Sequence, residues 1–146
     1  MILLKRAYDA ASPEDGQRFL VERLWPRGVK KDALKIDGWL KDVAPSTRLR
    51  QWFSHDPAKW IEFQRRYFSE LEANREALTP ILKAAHHGHV TLVFSSHDAE
   101  HNNAVALKTY LESIPGQSKK PDKHSKGLER LPDDFYRIPM KKGIFR

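Results

Sequence analysis

The chain has 146 residues, 40% of them hydrophobic and 10% aromatic, enough length and apolar surface for one buried core without staples. It contains no Cys, which excludes disulfides, thiol catalysis and Cys-ligated zinc. The net charge of +7 points to nucleic acid, but residues 116–146 hold nine basic against four acidic residues while 1–115 hold 17 against 15. A nearly neutral body is not the electrostatic footprint of a dedicated DNA-binding fold.

Residues 2–8 and 18–25 read as strands joined by the turn formers Ser12-Pro13-Glu14-Asp15-Gly16. In the second, Phe19, Val21, Arg23 and Trp25 share a face if the segment is extended, and Pro26 stops it because proline cannot donate to a ladder. Ile36, Trp39, Leu40 and Val43 fall at i, i+3, i+4 and i+7, which predicts a helix ending at Pro45. Ser46 caps the next helix, with Leu49, Trp52 and Phe53 inward, and Asp56-Pro57 starts a longer one carrying Trp60, Phe63, Tyr67 and Leu71. Thr79-Pro80 restarts the helix and Gly88 ends it. Residues 89–94 are the clearest buried strand, and a last helix runs from about Ala99 with Ala104, Leu107, Leu111 and Ile114 inward.

Strands alternating with helices predict an α/β fold, a small open and mostly parallel sheet flanked by helices, over residues 1–115. Residues 116–146 form a basic C-terminal extension, a polar linker followed by an aromatic segment expected to dock on this chain or on a second copy in a homodimer. No apolar run reaches the ~18 residues of a membrane span, so no membrane partner and a cytoplasmic location are expected.

In open α/β sheets ligands occupy the crevice beyond the carboxyl ends of the strands, which here selects residues 23–28 and 95–103. In the first segment Arg23 and Arg27 flank a proline-stiffened turn, and a planar guanidinium grips carboxylate or phosphate oxygens with paired hydrogen bonds. The competing role for Arg23 is an ion pair with Glu22 or Asp9 that ties down the sheet edge. The second segment supplies Ser95, Ser96 and Asn102 as polar ligand-binding groups and His97 and His101 as candidate general acids or bases. His97 and His101 are spaced for a metal only if both are helical, and without a placed third ligand no metal or other cofactor is expected. A serine nucleophile is disfavoured: Ser96 and His97 are adjacent on an extended chain and point apart, and no Gly-x-Ser-x-Gly turn flanks either serine.

The strings Lys5-Arg6-Ala7-Tyr8-Asp9, Leu20-Val21-Glu22-Arg23-Leu24-Trp25-Pro26-Arg27-Gly28, Ala44-Pro45-Ser46, His55-Asp56-Pro57 and Glu100-His101-Asn102 resemble the YeaO-like proteins, a bacterial domain-of-unknown-function family numbered 488 in that series. The resemblance covers roughly residues 2–114 and departs from the family pattern at Gln17, Glu22 and Asn103, where an aromatic, Asp and His are usual. It implies a compact bacterial α/β protein and no particular reaction. The residues themselves favour a site for a small anionic ligand bearing phosphate or carboxylate. The alternatives are a nucleic-acid-binding accessory protein that uses the basic extension, and a protein-interaction module.

Overall fold

The computed structural model describes residues 1–115. The linker, the docked aromatic segment and the homodimer contact expected of 116–146 lie outside the described residues.

Four strands, β1 (Ile2–Arg6), β2 (Gln17–Leu20), β3 (Gly38–Trp39) and β4 (Val90–Phe94), form one sheet in the order β1-β4-β2-β3. Every neighbouring pair is parallel. The helices are α1 (Lys31–Leu34), α2 (Thr47–Phe53), α3 (Trp60–Ala73), α4 (Thr79–His87) and α5 (Asn103–Glu112). The predicted α/β class is the observed one. β4 is buried along its whole length because it lies between β1 and β2, which explains its apolar residues, and the hydroxyl of its one polar residue, Thr91, donates to Asp15 O at 2.7 Å.

Side-chain alternation divides the core between the two faces of the sheet. Phe19, Leu92 and Phe94 join Phe63, Tyr67 and Leu71 of α3 and Leu107 and Leu111 of α5 in the main core. Leu20 and Val93 point the other way, against Leu34 of α1 and the partly buried Trp25 and Trp39. Each large side chain so buried contributes about 1.5–3 kcal/mol, and together they offset the cost of ordering the chain.

The capping signals at Ser46 and Asp56 act as their chemistry dictates: Ser46 accepts from Leu49 N at 3.1 Å and Asp56 from Ala58 N at 3.0 Å. Gly16 is required by space as well as by conformation. It has φ 67°, and a Cβ there would sit 2.1 Å from the carbonyl oxygen of His89.

Three expectations are corrected. The helix predicted over 36–43 is instead β3 followed by a 3₁₀ turn at Lys41–Val43. Asp37 decides this, because its Oδ2 accepts from Arg18 N at 2.8 Å and its own N–H donates to Arg18 O at 2.7 Å, drawing the segment beside β2. Second, β2 stops at Leu20 rather than Trp25. After Val21 N bonds Val93 O the chain bends, and Trp25 turns to the face opposite Phe19 and Val21. Third, α5 starts at Asn103, not near Ala99, because Asp98 and Asn102 each fold the preceding backbone onto a side chain.

Candidate functional site

Three parallel strand ends meet at one edge of the sheet, and side chains clip them together. Beyond β2, the Glu22 carboxylate accepts Ser95 N at 3.1 Å and Ser95 Oγ at 3.0 Å, so it replaces the ladder where β4 ends. From β1, Arg6 donates Nε to Ser96 O at 3.0 Å and Nη2 to Ser95 O at 3.4 Å, and lies over the Tyr8 ring, 4.9 Å from its centroid. Asn103 Nδ2 reaches back to Val21 O at 2.8 Å. These bonds frame a cleft of about 520 Å³, in the size range of small-molecule sites.

The segment carrying Arg27 is a stiff turn. Trp25 Nε1 donates to Val29 O at 2.6 Å, Gly28 takes φ 78°, and the Tyr8 hydroxyl donates to Arg27 O at 3.0 Å. With its backbone held in this way, the Arg27 guanidinium stands exposed at the cleft wall, and no acidic partner pairs with it among the described residues. Arg50, on the exposed side of α2, lines the same cleft and is equally unpaired among the described residues. Leu24, Trp25, Pro26, Pro45, Phe53 and Phe63 supply the apolar part of the wall.

The predicted site residues separate into distinct positions. Arg27, Ser95, Ser96, His97 and Asn102 line the cleft together. Arg23 does not line it: its Nε donates to Pro45 O at 3.1 Å, a structural bond to a backbone carbonyl and not the ion pair with Glu22 or Asp9 weighed from sequence. Ser96 Oγ is occupied by Asp98 N at 3.1 Å. Asn102 is buried, caps α5 by accepting Val105 N at 3.0 Å and donates to Asp98 O at 2.8 Å, so its amide is engaged on both sides.

The two histidines serve different neighbours. His97 Nδ1 lies 3.5 Å from Arg6 Nη2, whereas His101 Nδ1 lies 3.0 Å from Asp98 Oδ2 with its ring edge-on to Trp60 and outside the cleft wall. Neither is helical, so the helical i, i+4 condition for a shared metal is not met. Among the described residues no group of three or more His, Asp or Glu is arranged to hold a metal ion. The amides of Glu100 and His101 hold the Asp98 carboxyl below its ordinary value, with His101 adding to the effect against partial desolvation.

Among the described residues no imidazole hydrogen-bonds Ser95 or Ser96, and the Ser95 hydroxyl points its hydrogen at Glu22. Both serine hydroxyls are thus engaged in bonds within the cleft wall, with no activating histidine among the described residues. The sequence reading did not single out Arg6, Tyr8, Arg50 or His55. Arg50 carried no signal beyond a charge on an exposed helical face. His55 enters from sequence only in the family string His55-Asp56-Pro57, with no site role, yet Ser54 and His55 both take left-handed backbone, φ 46° and 57°, and bring the imidazole to the cleft.

The fold and this edge define a small parallel α/β domain with a polar cleft at the carboxyl ends of its strands, the ligand position of open α/β sheets. The chain belongs to the DUF488 family of YeaO-like proteins: the family model described as "Inactive DUF488-N3 subclade" matches residues 1–127. It is 37% identical over 113 residues to the uncharacterized protein YeaO of Escherichia coli (strain K12), covering 77% of this chain and 98% of that one. It is 38% identical over 110 residues to the uncharacterized protein Rv3073c of Mycobacterium tuberculosis (strain ATCC 25618 / H37Rv), covering 75% and 92%. No solved structure matches the chain at a significant level. No helix among the described residues is long and apolar enough to cross a membrane.

Proposed function

We propose that the protein binds a small anionic ligand, carrying phosphate or carboxylate, in the cleft at the carboxyl ends of β2 and β4. One observation carries the reading: Arg27 and Arg50 face a cleft of about 520 Å³ with no acidic partner among the described residues. Guanidinium groups left free beside an apolar wall, Arg27 on a turn stiffened before any ligand arrives and Arg50 on helix α2, lose little backbone entropy on gripping an anion. Binding without turnover fits the site better than catalysis does. Neither Ser95 nor Ser96 has an activating histidine among the described residues, and the subclade is described as inactive.

Thermal denaturation of the full chain with millimolar inorganic phosphate, simple phosphate monoesters and short carboxylates tests the reading. Stabilisation that rises with anion concentration and is lost in Arg27→Ala is expected, because a ligand that binds only the folded state stabilises it by mass action. No stabilisation by any of these anions, or an undiminished one in Arg27→Ala, refutes it.

A further inference from the structure

Glu22 is a feature that an anion site has no use for. Its carboxylate faces the cleft, half-buried, and accepts one hydrogen bond on each oxygen, both from Ser95. A carboxylate offers about four acceptor positions, so roughly half of its capacity is left over. Among the described residues no Lys, Arg or His forms an ion pair with it. Asp98, the other carboxylate on this wall, is already taken up by the amides of Glu100 and His101 and by the His101 ring. Among the described residues Glu22 is thus an unpaired carboxylate in the same cleft as the unpaired guanidiniums of Arg27 and Arg50.

A half-buried charge without a counter-charge is unfavourable, and so is an anionic ligand held near it with nothing between them. Both conditions are relieved by one kind of molecule. Resting on the anion-binding reading above, we propose that the ligand is a small zwitterion, an anionic head for Arg27 and Arg50 joined to an ammonium group for Glu22. A neutral hydroxyl satisfies an acceptor position but leaves the charge in place. An ammonium brings three donors and the opposite charge, and its hydrogen bonds to a carboxylate are the stronger charge-assisted kind. The cleft has room for both ends of such a ligand, being far larger than a bare phosphate needs.

The test is calorimetric titration of the full chain with inorganic phosphate and three matched monoesters: ethyl, 2-hydroxyethyl and 2-aminoethyl phosphate. Propanoate and 3-aminopropanoate form a carboxylate pair for the same comparison. In one of the two series the amine is expected to bind about tenfold more tightly than its alkyl analogue and well above the hydroxyl compound, the scale of one charge-assisted interaction. In Glu22→Gln the amine advantage disappears and inorganic phosphate binds more tightly, since a like charge has left the cleft.

Equal affinity of alkyl and amine compounds overturns the proposal, as does a hydroxyl compound equal to the amine or an amine advantage that survives in Glu22→Gln. Glu22→Asp keeps the charge and is expected to keep part of the preference. If the Gln variant fails to fold, the wild-type comparison decides by itself. Anions that bind without amine preference defeat this inference alone, whereas failure of every anion to bind removes the anion-binding reading and this inference with it.

Discussion

Arg6, the last residue of β1, donates from Nε to the carbonyl oxygen of Ser96 at 3.0 Å, joining chain segments 90 residues apart. Its Nη2 adds Ser95 O at 3.4 Å, so one guanidinium fixes the backbone where β4 becomes the cleft wall. Arg6→Met keeps the aliphatic stem and removes both bonds. It is expected to cost about 1–2 kcal/mol in chemical denaturation, the lower part of the range for charged hydrogen bonds because the site is only part-buried. Faster amide exchange at His97 and Asp98 is the local signature.

Arg23 and Arg27 stand four residues apart and predict opposite phenotypes. Arg23→Ala leaves the carbonyl of buried Pro45 without its donor, and an unsatisfied buried acceptor costs about 1–3 kcal/mol. Arg27→Ala removes an exposed side chain and should change stability by no more than about 0.5 kcal/mol. Urea midpoints of the two variants, measured beside anion binding, separate scaffold from ligand contact.

Asp15 sets an acid limit on stability. Burial raises its carboxyl, but the Ser12 amide, Lys5 and Arg18 outweigh burial and hold it below the ordinary 3.8. A folded-state value below the unfolded one contributes stability that is present above the unfolded value and is lost as pH falls through the folded value. Stability should therefore decline below about pH 4, and part of that decline should vanish in Asp15→Asn. The variant pays at every higher pH, by about 3–5 kcal/mol, because Arg18 is 4% exposed and loses the charge of its partner at 2.7 Å, which leaves a buried cation unneutralised.

Asn102→Ala should destabilise the protein by about 1–2 kcal/mol, one capping bond to Val105 N plus the bond to Asp98 O. Circular dichroism melts give the loss, and exchange at the first amides of α5 locates it. An unchanged melting temperature removes the capping role.

Much of this molecule was legible wherever a local rule and the tertiary structure agree. The Ser46 and Asp56 caps, the α3 stripe and the buried run of β4 follow from side-chain chemistry within a few residues. The segment at 36–43 was misread because its apolar spacing also suits a two-residue strand and a 3₁₀ turn, and the deciding bonds come from Arg18, far away in sequence. The cleft shows the same division. Arg27 and Ser95 were found because they follow strands, whereas Arg50 and His55 reach the cleft through α2, whose placement no local pattern encodes.

β4 lies between β1 and β2, yet among the described residues it is the last strand, and the two strands it separates do not pair with each other. A ribosome therefore delivers both flanking strands long before the one that joins them, and a nascent chain that stops short of Val90 has no ladder between β1 and β2. β2 and β3 can pair early, but β1 joins the sheet only when β4 arrives, a late step governed by long-range pairing, the slow regime for folding. Until that moment Ile2 and Phe19 have no strand between them, and apolar surface that the finished sheet buries stays uncovered.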